Sequence, residues 1–272
     1  MKKVINGILL LCALALAWIC VGSIVDDQEV EAQIDGRKKV VIARLLDIKK
    51  AQEAYKEQHD TTLFYFDEES EEEKTATFGC YAENFDDLIA FLNTARYPEQ
   101  IRKEGVIQEG AQRKGWTEKK VADHIYQLRQ SGESDEAIRE KLKAEELPGV
   151  WCDTIWAENP IKAIFGREDY PVDSLRYIPF SNEPNELYPD KAEGEFLEFD
   201  MQAMVHFKMK VPMNYVMQCE AHFNTFLTKE GLGNVGNNKR KNLVQQEEER
   251  GNYPGLRIGD IANWNNNAGN WE

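Results

Sequence analysis

Basic residues are scarce in this 272-residue chain: 33 Lys and Arg stand against 48 Asp and Glu, a net charge of −15. Phosphate recognition needs clustered cations, so nucleic acid is excluded as a partner. The same deficit excludes a polybasic membrane-surface binder. Histidine is sparser still, at four, and His59, His124 and His206 fall in unrelated segments. There is no HExxH run, Gly-rich phosphate loop, nucleophile elbow or Ser-His-Asp order. Carboxylates are abundant, but abundance singles out no general acid and base. No catalytic residue, metal site or cofactor is expected, and a non-enzymatic role is.

Cysteine is also sparse. Outside the first 25 residues there are Cys80, Cys152 and Cys219, an odd number that admits at most one internal disulfide. Their spacing matches no zinc pattern, and they read as small buried apolar residues. Cys219 and His222 are three apart, which suits a helix face. Their segment alternates like a strand, however, and there they point to opposite sides.

Charge is absent altogether from Val4 to Val25, directly after Lys2 and Lys3. As a helix this run spans ~33 Å, about one hydrocarbon core. It is longer than the apolar stretch of a cleaved signal peptide. Cys12 and Cys20 follow Leu11 and Ile19, so neither fits an acylated lipoprotein cysteine. The expectation is an uncleaved inner-membrane anchor lined by Ile8, Leu11, Leu14, Trp18 and Val21. Lys2 and Lys3 stay cytoplasmic and the remainder is periplasmic.

No proline occurs between Val25 and His59, and the only glycine is Gly36. Through this stretch Val30, Ile34, Val41, Leu45, Ile48 and Tyr55 recur at steps of three, four or seven, extended by Ala51 and Ala54. That spacing predicts one apolar helix face. The membrane helix then continues into an amphipathic half that packs on a domain.

"DEESEEE" at 67–73 reads as a solvated loop. Residues 84–93 predict a short helix with Phe85, Leu88, Ile89 and Leu92 on one side. "WTEKKVADHIYQLRQ" and "SDEAIREKLKAEEL" predict a helical hairpin capped by Thr117 and Ser134 and stopped at Pro148-Gly149. Val121, Ile125 and Leu128 line its first helix, Ile138 and Leu142 its second. The hairpin either meets a partner or packs on its host. From Leu197 to Met209, and again from Val211 to Phe223, every odd position is apolar. Two antiparallel strands with one buried face follow. Residues 150–156, 174–180 and 255–259 predict further strands, and 239–250 a polar helix. In the tail "NWNNNAGNWE", Trp264 and Trp271 either dock the terminus or await a partner, docking being the expectation. Trp116, Ile125, Trp264 and Trp271 are the candidate partner contacts.

The hydrophobic helix running into "RLLDIKKAQEAYKEQHD" (44–60), followed by "NFDDLIAFLN" (84–93), resembles type IV pilins and pseudopilins over roughly residues 4–93. It departs from them at Gly7-Ile8 and at Cys12, where their precursors carry glycine-phenylalanine and a glutamate. With "LRYIPF", "YPGLRIGD" and "NNNAGNWE" added, the whole chain is similar to membrane-anchored pilin-like proteins of Gram-negative bacteria. The resemblance implies a structural or assembly subunit of the envelope, with secretion as one setting, and no activity. Its partners would be other envelope proteins, or further copies joined through the N-terminal helix. A competing expectation is a tethered periplasmic module holding a ligand, peptide or envelope polymer.

The fold expected is α+β: a transmembrane helix continuing into a long amphipathic helix on an antiparallel sheet, with a helical-hairpin insertion. Residues 1–25 form a stub and anchor. Residues 26–98 form the long helix and first part of the soluble domain, 99–149 the insertion, and 150–272 the β region and tail.

Overall fold

A computed structural model describes the chain apart from Met1 and residues 68–70, 95, 158, 209 and 264; the side chains of residues 2–26 and 99 are likewise outside the description. Helix α1 runs Lys2–Lys56, followed by strands β1 (Asp60–Asp67) and β2 (Glu72–Gly79) and helix α2 (Phe85–Thr94). Next come β3 (Pro98–Glu104), α3 (Glu109–Arg113), α4 (Glu118–Gln130), α5 (Asp135–Ala144), β4 (Trp151–Trp156) and α6 (Pro160–Phe165). The chain ends with β5 (Asp200–Lys208), β6 (Val211–His222), α7 (Phe223–Phe226), α8 (Lys229–Glu249) and β7 (Gly255–Gly259). This α+β chain forms two units, residues 1–91 with 171–272 and residues 92–170, the division falling inside α2.

The larger unit is organised by α1. Ile34 and Ala54 are 3% exposed, and Val41, Leu45, Ile48 and Ala51 are fully buried against α8, β6 and β7. Gly36 faces open space, where its missing side chain costs helix propensity and nothing in packing. Among the described residues no helix is long and apolar enough to cross a membrane. The anchor residues Ile8, Leu11, Leu14, Trp18 and Val21 lie in the part of α1 whose side chains are outside the description.

Strands β5, β6 and β7 form an antiparallel sheet in that order. Tyr215, Met217, Cys219 and Ala221 are buried as the alternation requires. The single buried face is corrected in two places. β6 is also met by β1 and β2, and Val216 and Gln218 on its other face are buried as well. At the tip the register shifts between His206 and Phe207, which pairs with Pro212. A bulge of this kind reverses the parity, and Phe207 and Met213 are half exposed.

Two other expectations are corrected. Residues 67–73 are not simply a loop: Asp67 pairs with Glu72, and Phe66 with Glu73, as the last rungs of an antiparallel β1–β2 hairpin. Leu63 and Tyr65 turn to the less exposed side with Lys74, Ala76 and Phe78, while the acids remain near water at the tip. The alternation outweighs the local charge. Residues 174–180 make a 3₁₀ turn, Val172–Arg176, and one bridge, Tyr177–Glu198, in place of a strand. Val172, Leu175 and Ile178 are all buried, and steps of three match that tighter helix.

The smaller unit pairs β3 with β4 antiparallel and covers them with α4. Thr117 accepts from the Lys120 amide and Ser134 from the Ala137 amide, capping α4 and α5. Val121, Ile125, Ile138, Leu142, Leu147, Val150, Trp151 and Cys152 form one core, with Leu128 against it. The hairpin's apolar stripe is thus buried within its own unit.

Burial on α1 makes a contrast in stability. Ile48→Ala removes a fully buried side chain and should cost about 2–5 kcal/mol. Leu46→Ala, at a position 38% exposed, should cost under about 1 kcal/mol. Urea titration of the full-length chain checks both.

Candidate functional site

One polar cluster joins α1, the segment after β2 and the C-terminal tail. Gln52 is fully buried on α1 and completes two hydrogen bonds with the Ala82 backbone: its amide donates to the carbonyl at 2.9 Å and its oxygen accepts from the N–H at 2.8 Å. One residue on, the Glu53 carboxylate accepts from the Tyr81 hydroxyl at 2.8 Å and the Asn267 amide at 3.0 Å. The same Asn267 amide donates to the Tyr81 oxygen at 2.7 Å, and Lys49 donates to the Asn267 carbonyl at 2.8 Å. Lys56 donates to the Tyr81 oxygen at 3.1 Å and lies over its ring. Burial, then the neighbouring Glu53 carboxylate, holds the Tyr81 phenol well above its ordinary range. Nearby, burial and a hydrogen bond to Glu83 push Tyr215 up to about 12. Both phenols are neutral donors at physiological pH, suited to holding and not to proton abstraction.

The tail reaches this cluster because of its composition. Asn266 and Asn267 have φ values of 57° and 56°, a left-handed conformation that asparagine tolerates better than most residues. Asn270 meets the Arg257 backbone through two bonds of 3.0 Å: its N–H donates to the Arg257 carbonyl, and its side-chain oxygen accepts from the Arg257 N–H. Gly259 donates to the Ala268 carbonyl at 3.0 Å. At Gly269 a Cβ atom would sit 2.4 Å from the Trp271 ring, so glycine lets that ring close over the backbone. Trp271 is half-buried in this arrangement, the docked alternative of the two.

A second cluster fixes α1 nearer its middle. Arg37 forks onto Glu183 with bonds of 2.7 and 2.6 Å, donates to the Phe226 carbonyl at 2.9 Å, and lies 4.6 Å from the Phe180 ring centre. Thr228, the N-cap of α8, also donates to Glu183. Burial alone would raise the Glu183 carboxyl, but the Arg37 and Thr228 hydrogen bonds outweigh it and the net shift is downward. His222 caps α7 through Nδ1, which accepts from the Asn224 amide at 3.0 Å, and burial lowers its pKa below the ordinary value.

Of the candidate residues, Ile34, Val41, Leu45 and Ile48 are buried and Val30 and Tyr55 half-buried on α1. Tyr55 stacks on His59, with Phe91 edge-on to both. In the smaller unit Trp116 is partly buried against the core, while Ile125 is 1% exposed and offers no surface to a partner. Trp264 lies outside the described residues. Cys80, Cys152 and Cys219 are free thiols, and burial raises the pKa of each. Among the described residues no group of three or more His, Cys, Asp or Glu is placed to hold a metal ion. Sequence reasoning missed Glu53, Tyr81, Arg37, Glu183 and Asn267 as partners. Only the run of asparagines was a signal, through its tolerance of left-handed turns.

Asn267→Ala should lower stability by about 1–3 kcal/mol, by leaving buried polar groups without partners. Amide exchange in residues 265–272 should quicken in the same variant. For His222 the folded pKa is depressed, so its contribution is complete above the ordinary value of about 6.5 and is lost as pH falls through the folded value. His222→Asn keeps a capping oxygen without a titrating group, and urea midpoints measured across this window should show a flatter acid decline. No family model matches the chain, and neither a curated protein nor a solved structure matches it.

Proposed function

We propose that the chain is a non-enzymatic, pilin-like structural or assembly subunit of the cell envelope, held in the inner membrane by Val4–Val25 with its folded part periplasmic. One observation carries this reading: α1 is a single uninterrupted helix, Lys2–Lys56, whose charge-free first part continues into a part built into an α+β unit. The helix from Asp27 to Lys56 extends ~45 Å. It acts as a stiff post, since bending it would expose the buried stripe and break the Arg37 and Gln52 contacts. The anchor fixes position, the post sets distance from the bilayer, and the folded units meet partners. Of the face Val30, Ile34, Val41 and Leu45 offered for lateral association, Ile34, Val41 and Leu45 are buried in this unit and Val30 is half-buried. Contacts between copies would use exposed apolar positions of α1, Val40 and Leu46, which are 46% and 38% exposed.

The test is the mass of the mature N-terminus after purification from carbonate-washed membranes, with Val40→Cys and Leu46→Cys crosslinking in intact cells. Retention in the membrane with Val4–Val25 present, or with only residues 1–7 removed, is expected. Crosslinked ladders would establish assembly into a polymer, and one discrete adduct a permanent anchor for a single partner. A mature chain that starts after Val25 and is released as a soluble protein would overturn the reading.

A further inference from the structure

The smaller unit contains a cleft of about 460 Å³ that its own packing leaves open. This lies within the range of about 300–1,000 Å³ usual for small-molecule sites. Ile107, Val150, Trp116 and Val106 are among its apolar lining, with Val106 79% exposed. Gly105 has φ +77°, and a Cβ there would lie 2.2 Å from the Gly149 carbonyl, so two loops meet backbone to backbone beside the opening. Lys103 and Glu118 also line the cleft and pair with each other. They are 56% and 47% exposed, and pairs so accessible to water are weakly held.

One cation and one anion therefore converge on a mostly apolar hollow that includes an indole. We propose that this cleft is a binding site for a small zwitterion with an apolar or aromatic body, an α-amino acid being the simplest. The body lies against Trp116, Ile107, Val106 and Val150. The ligand's carboxylate takes Lys103 and its ammonium takes Glu118. Binding thus exchanges one exposed ion pair for two charge-assisted contacts beside an apolar surface. A ligand bearing a single charge leaves one of the two side chains without its partner, and a purely apolar one leaves the pair as it is. The inference goes beyond the anchored-scaffold reading and does not depend on it.

The experiment titrates the full-length chain in lipid nanodiscs with L-phenylalanine, phenethylamine and 3-phenylpropionate, following tryptophan fluorescence. Trp116→Phe assigns the signal. Phenylalanine should give a saturable change with a Kd about tenfold below either analogue, the loss expected for one charge-assisted contact. Lys103→Glu should weaken phenylalanine about tenfold, and the Lys103→Glu/Glu118→Lys exchange should restore binding to within about threefold. Val106→Arg, at an exposed position that the fold does not need, should abolish it with thermal unfolding unchanged. The absence of saturable binding by phenylalanine would overturn the proposal. So would equal affinity for all three probes, or binding indifferent to both Lys103→Glu and Val106→Arg.

Discussion

The interior of the larger unit is built around the C-terminal part of one long helix, α1, from Ile34 to Ala54. Val41, Leu45, Ile48 and Ala51 are fully buried, which brings the polar groups on the helix flanks out of bulk water with them. A buried polar group without a partner costs about 1–3 kcal/mol, so the flanks dictate what surrounds them. Arg37 takes Glu183, Gln52 takes the Ala82 backbone, and Glu53 takes Tyr81 and Asn267. Lys49 takes the tail carbonyl. The sheet and α8 supply the apolar complement, and the loops and tail supply much of the polar one.

This division of labour explains an odd feature of the tail, which has almost no aliphatic side chains yet is held in place. Its adhesion is by hydrogen bonds: Asn270 reproduces strand pairing with Arg257 through backbone and side chain together, and Asn267 reaches α1 because its backbone turns left-handed. Trp271 closes on Gly269, where any side chain would collide with its ring. A leucine-rich tail could bury more area there, but it would remove the Asn267 donor from Glu53.

What was legible in the sequence was whatever rests on local period and local caps. Val121, Ile125, Ile138 and Leu142 repeat at helical steps, and Thr117 and Ser134 stand at the helix starts, so α4 and α5 follow from neighbours alone. The β5–β6 alternation is equally local. Its bulge is not, because it depends on how Pro212 meets Phe207 across the ladder. The β1–β2 hairpin is hidden because its tip is a run of acids, while the alternation lies in the flanks, Leu63 and Tyr65 on one strand and Ala76 and Phe78 on the other. The 3₁₀ turn at Val172–Arg176 was hidden because "LRYI" also suits a strand. Pairings such as Arg37 with Glu183, 146 residues apart, have no local signal at all. They are written in the fold, and the candidate site is made almost entirely of them.

Those distant pairs do something the apolar stripe cannot. Valine, leucine, isoleucine and alanine repeating every three or four residues would fit the same groove after a shift of one helical turn, with small losses in packing. Arg37 and Gln52, 15 residues apart along α1 and hence ~22 Å, each make bonds to groups on other segments that no shifted register reproduces. A slip by one turn would separate the Arg37 fork from Glu183 and leave the Ala82 backbone unpaired at once, so the penalties add. Buried polar groups are best attested as devices that select one register among near-equal apolar alternatives. That selection fixes where α1 sits along the folded unit, which a merely hydrophobic joint would leave undetermined.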